Sequence, residues 1–121
     1  MAAGEFQSPP PLTDKSNGVD VFNAITKVRF NAAKPQRVRL RKGEDFCCQL
    51  LCLEAGQEVT ASGPCGYYVI AGLGAVRHGA ESRPLSIGSF ASCEDGESHV
   101  LANGSEQRLI CLAVTPHAQS S

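Results

Sequence analysis

The sequence predicts an all-β fold, either a barrel or a sandwich, for this chain of 121 residues. Short apolar segments follow one another with turn-forming residues between them, and none has a sustained 3.6-residue period. In residues 37–41 apolar and arginine side chains alternate strictly, as on a strand with one buried face. Many short strands at this spacing are typical of sandwiches and barrels rather than of alternating α/β folds.

The apolar segments give the expected strands in order along the chain. Turn-forming residues such as glycine, proline, asparagine and aspartate separate them. Segment 46–53 is apolar on nearly both faces, which is the pattern of a strand covered on both sides. The expected strands are residues 19–22, 28–30, 37–41, 46–53, 58–61, 67–71, 74–78, 84–87, 90–93, 98–102 and 108–114.

The length fits one domain that can bury a real core. Residues 1–18 contain a run of three prolines among small polar side chains, with too little apolar surface to offset the entropy of ordering them. We therefore expect a flexible N-terminal tail at 1–18, a single domain at 19–116 and a frayed C-terminal tail at 117–121.

Charge and composition exclude several classes of partner. The formal net charge of −1 argues against a nucleic acid or an acidic membrane, and no apolar run approaches the roughly 20 residues that span a bilayer. The N-terminus has neither the basic start nor the apolar core of a secretory signal. The six cysteines are therefore expected as reduced thiols of a cytoplasmic protein, and no Cys-x-x-Cys pair indicates a zinc ribbon or finger.

Arg37, Arg39 and Arg41 form a basic stripe that alternates with Val38 and Leu40. The stripe has a functional interpretation, because guanidinium groups pair with phosphate or carboxylate groups. It also has a structural one, since charge on a half-exposed strand is the usual result of one-sided burial and blocks unwanted pairing at a sheet edge. The period of two favours the structural interpretation.

The stretch from Gly88 to Asn103 combines two turn signals with a histidine. Gly88 between short apolar runs, and Gly96 after an aspartate, both favour turns with positive backbone dihedrals. His99 then begins a strand on which His99 and Leu101 share one face. If that face is the inside of a barrel, the imidazole is a metal ligand, a general base or a hydrogen-bonded core residue.

The same stretch resembles the second signature of the cupin superfamily. Four of the five fixed positions match, as Gly88, Gly96, His99 and Asn103, while Glu94 stands where the proline belongs. The resemblance covers residues 37–116 and implies a cupin-type jelly-roll β-barrel, also called a double-stranded β-helix. It also implies that His99 faces the barrel interior and lines the main cavity.

The first cupin signature is degenerate in this chain. Counting forward from its opening glycine puts Ser62 and Pro64 where two histidines belong. Counting back from Gly72 puts Cys65 at the glutamate position, and the histidine positions then fall on Glu58 and Thr60 or on Val59 and Ala61. Neither count recovers a histidine.

The resemblance implies a metal site of three histidines and a glutamate, of which only His99 remains. One imidazole does not hold a divalent ion firmly, because metal sites ordinarily need three or more protein ligands. We therefore expect no cofactor, and in particular no stoichiometric iron, manganese or nickel. The alternative is a divalent transition metal held by His99 with Cys65 or Glu58.

Two functional classes follow from the resemblance. In the first, which we favour, the chain binds a small polar ligand in the barrel or serves as an oligomerising partner. In the second it is an enzyme of isomerase or dioxygenase type with a reduced Cys/His site, so catalysis stays open. We also expect a homodimer formed through an exposed Val28 and Phe30 segment. The candidate ligand-binding residues are His99, Tyr67, Tyr68, Cys65 and Cys93.

Overall fold

A computed structural model describes residues 19–94 and 96–116 of the chain. The tails expected at 1–18 and 117–121 lie outside the described residues. None of the helices in the described ranges has the length and apolar character that crossing a membrane requires.

The described residues form nine strands and a short 3-10 helix at Ala24–Lys27. The strands pair only antiparallel, in the two sheets β1-β2-β9-β4-β7 and β3-β8-β5-β6. The all-β prediction is therefore confirmed. The strands are β1 (Gln36–Lys42), β2 (Phe46–Leu53), β3 (Glu58–Ser62), β4 (Cys65–Ala71), β5 (Gly74–His78), β6 (Glu81–Leu85), β7 (Phe90–Cys93), β8 (Ser98–Ala102) and β9 (Leu109–Pro116).

The core lies between the two sheets, where inward-facing side chains of both meet. Leu51, Val69 and Leu109 come from the five-stranded sheet, and Val59 and Leu101 come from the four-stranded one. Each of these side chains is almost completely buried. Because residues alternate between faces along every strand, this core fixes which neighbouring side chains point inward.

Two of the expected strands are wrong. Residues 19–22 and 28–30 are not in strands, and between them the chain turns into the 3-10 helix. Asn23 caps that helix, because its side-chain oxygen accepts a hydrogen bond of 2.9 Å from the Ile25 backbone N–H. The cap competes with strand pairing and ends the extended conformation.

The segment proposed for dimer contact is not an exposed apolar face. Val28 and Phe30 are both half-buried. The guanidinium of Arg108 lies over the Phe30 ring, 4.5 Å from its centroid. The reason given for a homodimer is therefore wrong, and the homodimer itself stays a prediction.

The arginine stripe lies at the open edge of the barrel, where Arg37 and Arg39 are exposed and Val38 is half-buried, as the structural interpretation expected. β1 is an edge strand, as the structural interpretation assumed, and it pairs Arg37 with Leu51 and Val38 with Leu50 of β2. Directly paired residues share a face, and Leu51 belongs to the core between the sheets. Arg37 and, two residues on, Arg39 are therefore on the same face as Leu51, at the exposed edge of the barrel. Val38 faces outward with Leu50, which is itself fully buried.

Two residues of the signatures have structural roles. Gly72 has φ +92°, and a Cβ there would lie 2.1 Å from the Arg108 backbone oxygen, so only glycine fits. The Asn103 side chain is buried and donates to the backbone oxygens of Leu53, at 3.0 Å, and Gln107, at 2.7 Å. Asn103 thus fastens the loop before β9 to the end of β2.

Candidate functional site

His99 is a buried polar residue in an otherwise apolar core. It lies on β8, paired with Ala61 of β3, and only 2% of its surface is exposed. Leu101, two residues along the same strand, belongs to the core between the sheets. The alternation of β8 therefore directs the imidazole into the barrel.

Tyr67 of β4 is the hydrogen-bond partner of His99. The Tyr67 hydroxyl lies 2.6 Å from His99 Nε2, and the two rings meet edge to face with centroids 5.5 Å apart. Burial, and then the neighbouring Cys65, raise the pKa of Tyr67, so the phenol keeps its proton.

Burial lowers the pKa of His99, and nearby His78 lowers it further, while the backbone of Glu97 opposes the shift. The neutral imidazole therefore accepts a hydrogen bond from the Tyr67 hydroxyl at Nε2 and carries its own proton at Nδ1. Nδ1 is buried, and no acceptor among the described residues meets it with hydrogen-bond geometry, although the Glu97 backbone is close enough to raise the pKa of the ring. A buried polar atom without a partner is uncommon and marks His99 for a functional explanation.

Two thiols complete the cluster around His99. Cys65 of β4 and Cys93 of β7 are paired directly across the sheet, and Cys65 Sγ lies 3.6 Å from His99 Nε2. The donor atoms of Cys65, Cys93 and His99 all lie within 4.8 Å of one another. Burial and the neighbouring Cys65 raise the pKa of Cys93 to about 11, so this thiol is protonated at neutral pH.

A larger cavity, of about 730 Å³, lies on the His99 side of the cluster. Its inner wall includes His99 and Cys93 beside apolar side chains of the core, and its exposed rim carries charges of both signs. Some of the rim charges contact each other, because His78 is paired with Glu97 and Arg83 lies 3.7 Å from Glu81, whereas the exposed Glu94 is in none of the ion pairs of the described residues. The volume suits a small molecule.

A smaller cavity, of about 480 Å³, lies on the Tyr67 side of the cluster. Cys65 and Tyr67 are part of its wall, together with residues of β1, β2, β3 and β9. Its charged wall residues are all arginines: Arg37, Arg39 and Arg41. The Tyr67–His99 pair therefore stands between two cavities of different chemistry.

Two candidate residues do not join the cluster. Tyr68 is paired with Phe90 and Leu112, and its outward-facing side chain is half exposed. Glu58 is paired with Ala102, one position out of phase with the inward-facing Val59, and its carboxylate binds Arg77 at 3.0 Å on the outside of the sheet. Glu58 is thus wrong as a companion ligand for His99, and Tyr68 is wrong as a cavity residue.

The sequence did not indicate that the three arginines contribute to a cavity wall. Their period of two was visible, but a period does not say which face of a strand borders the barrel interior. The pairing of β1 with β2 decides that question. Knowing which strand pairs with residues 37–41, and in which register, would have placed the arginines in the cavity wall.

No protein-family model matches the sequence, and no curated protein is detectably similar to it. Solved structures do match. A Klebsiella pneumoniae protein with a double-stranded β-helix domain has a TM-score of 0.76 at 21% identity, covering 83% of this chain and 92% of that one. The chain has the cupin fold.

Two solved structures of cupins agree with this assignment. An RmlC-like cupin protein from Desulfovibrio desulfuricans has a TM-score of 0.69 at 17% identity, covering 80% of this chain and 96% of that one. A cupin superfamily protein from Desulfitobacterium hafniense has a TM-score of 0.66 at 13% identity, covering 74% and 83%. At these identities the likeness establishes the cupin fold and leaves the function to the site.

The usual cupin metal does not fit the residues of this site. A centre of three histidines and a glutamate offers imidazole nitrogens and a carboxylate oxygen, whereas the donors gathered here are one imidazole and two thiols. Glu58, the carboxylate considered for this role, points away from the barrel interior. The donor set is softer than iron or manganese prefers in a cupin of the usual kind.

Proposed function

We propose that this cupin domain binds a small polar molecule in the larger cavity, against His99. The observation that carries the proposal is His99, which is in the wall of a cavity of about 730 Å³ and whose buried Nδ1 has no hydrogen-bond partner by geometry among the described residues. An acceptor atom of a ligand satisfies this N–H, and the apolar wall buries the rest of the molecule. The rim carries three carboxylates against one arginine and one histidine, so it disfavours a strongly anionic ligand.

A thermal-shift screen of sugars, nucleosides and amino acids tests the proposal. Binding raises the melting temperature of the wild type, because a ligand that binds only the folded state stabilises it. His99→Phe removes the donor while keeping a ring of similar size, so the shift disappears in this variant. Leu101→Val is the matched control, since Leu101 shares the strand and the inward face but contributes to neither cavity wall.

Two results would count against ligand binding at His99. One is a shift of equal size in wild type and His99→Phe for every compound that binds. The other is an absence of any shift across the screen. Isothermal titration calorimetry of the compounds that shift the wild type then gives the affinity and stoichiometry of each variant.

The alternative function is an enzyme with a Cys/His site, and one observation favours it. Two sulfur donors and an imidazole nitrogen lie within 4.8 Å of one another, which is an arrangement that suits a soft metal ion. Elemental analysis of the purified protein separates the alternatives. Ligand binding without a metal predicts no stoichiometric iron, manganese or nickel in wild type or in His99→Ala.

Near one equivalent of a transition metal would instead establish the Cys/His alternative if Cys65→Ser and His99→Ala both lose it. Cys48→Ser is the control, because Cys48 lies outside the Cys65, Cys93 and His99 group. A metal retained by all three variants would show that the ion sits elsewhere.

A further inference from the structure

Three arginines of β1 make the smaller cavity chemically distinct. Arg37 is paired with Leu51, and Arg39 with Gln49, so both share the inward face of β2, and both are exposed at the barrel edge. A register shift follows Arg39, yet Arg41 is still in the cavity wall. Three arginines thus contribute to the wall of one concave space of about 480 Å³.

These charges have no counter-charge in the described part of the chain. No aspartate or glutamate is among the residues of the cavity wall. The ion pairs of the described residues involve Arg77, Arg83, Arg108 and His78, and none of the three cavity arginines. Nearby positive charges repel one another, and low-dielectric walls strengthen the field they produce in a cleft.

Arg41 is the least exposed of the three arginines. Its guanidinium carbon lies 5.5 Å from the centroid of the Phe46 ring, a cation–π contact that restrains the side chain. Its Nε is buried without a hydrogen-bond partner among the described residues, so its positive charge is not neutralised within the described part of the chain.

We propose that the smaller cavity is an anion-binding site, which takes a small molecule carrying carboxylate or phosphate groups. Guanidinium groups bind both kinds of oxyanion through paired, charge-assisted hydrogen bonds. Gln49 and Thr115 lie in the same wall and face inward with their strand partners, so they add neutral donors. Three arginines favour an anion with two or more negative charges.

The site differs from the ligand site proposed beside His99. The arginines and Tyr67 are in the wall of the smaller cavity, whereas His99 is in the wall of the larger one. A substitution in the wall of one cavity therefore tests the proposal for that cavity and leaves the wall residues of the other in place. Arg83, in the larger cavity, provides a matched arginine whose partner is Glu81.

Calorimetry of the full chain with inorganic phosphate and with citrate tests the anion site. Potassium chloride keeps the ionic strength constant, because surface charge effects depend on salt. We expect saturable binding of at least one probe, and the preferred probe tells whether phosphate or carboxylate is recognised. Arg39→Gln weakens this binding about tenfold, the usual loss for a charged hydrogen bond. Arg83→Gln leaves it unchanged.

Arg39→Lys and His99→Phe complete the test. Arg39→Lys keeps the charge without the paired geometry, so its binding is intermediate between wild type and Arg39→Gln. His99→Phe keeps the anion affinity. The proposal is overturned if neither probe binds, if Arg83→Gln weakens binding as much as Arg39→Gln does, or if His99→Phe abolishes binding that Arg39→Gln leaves intact. Circular dichroism of each variant verifies that it is folded.

Discussion

The two cavities of this barrel share a wall but treat charge in opposite ways. The wall of the larger cavity mixes both signs, with the pairs His78 with Glu97 and Arg83 with Glu81 and with the further carboxylate Glu94. The wall of the smaller cavity holds three arginines and no carboxylate. The difference teaches that a cavity whose wall mixes both signs selects a ligand mainly through its interior, here His99, whereas charges of one sign select the charge of the ligand itself.

The largest expected effect is a loss of stability that leaves ligand binding in both cavities unchanged. Asn103→Ala removes a buried amide that donates to Leu53 and Gln107 and accepts from Ser105. The buried backbone groups left without partners lower the free energy of unfolding by about 3 kcal/mol. Urea unfolding measures this loss, and Ser105→Ala serves as a milder control.

Asn103 is in the wall of neither cavity, so the affinities of the folded Asn103→Ala protein for both classes of ligand stay at wild-type values. A selective loss of affinity in one cavity would show that the loop before β9 shapes that cavity. The loop before β9 would then contribute to ligand binding in that cavity.

The next largest effect is expected for Tyr67 and His99, which lie between the two cavities, and a double-mutant cycle measures it. Tyr67→Phe leaves His99 Nε2 without its donor, and His99→Phe leaves the Tyr67 hydroxyl without its acceptor. Each change lowers the free energy of unfolding by about 2 kcal/mol. The double variant loses less than the sum, with a coupling of about 1 kcal/mol measured by urea unfolding. Additive losses would mean that the two residues act independently.

Acid is expected to destabilise the folded protein through the buried His99. Burial holds the pKa of His99 below its ordinary value, so the unfolded chain takes up the proton first as the pH falls. The stabilisation is full above the ordinary histidine pKa of about 6.5 and declines as the pH falls towards the folded value. We expect wild type to lose more unfolding free energy than His99→Phe between pH 7.5 and pH 5.5. Equal losses would exclude His99 as the source.

The smallest expected effect is a change in the free energy of unfolding. It is measured for one arginine of the smaller cavity and one arginine of the larger cavity. In low-salt buffer without phosphate, Arg39→Gln relieves repulsion among the cavity arginines and raises the free energy of unfolding by about 0.5 kcal/mol. Arg83→Gln removes an exposed contact with Glu81 and gives no gain. Adding phosphate reverses the order, because wild type then gains more from the anion than Arg39→Gln does. Thermal unfolding in both buffers provides the measurement.

Local patterns predicted most of the fold. The segments 46–53, 74–78, 90–93 and 98–102 match observed strands because apolar alternation and turn residues act within a few positions. The stretch from Gly88 to Asn103 was informative for the same reason, since its glycines and Asn103 shape local turns. The strand expected at 28–30 failed because the cap at Asn23 and packing by Arg108 outweigh a short apolar run.

The site depended on strand register, which no local pattern contains. Tyr67 and Tyr68 are adjacent and equivalent by residue type, yet only Tyr67 points into the barrel. Glu58 falls on the outer face for the same reason. Only the pairing of β1 with β2 shows which face of the arginine stripe borders the barrel interior. The sequence thus identified the residue types of the site and the inward direction of His99, but not the directions of the tyrosines, Glu58 and the arginines.

The position of β9 in the sheet has a consequence for biosynthesis. β9 is the last described strand, yet it lies between β2 and β4 in the middle of the five-stranded sheet. Until the ribosome has released residues 109–116, β2 and β4 have no shared neighbour, and their inward-facing side chains lack the partners that complete the core. Because distant pairings form slowly, the barrel closes only after this strand is free, and nascent β2 and β4 present open edges to other chains until then.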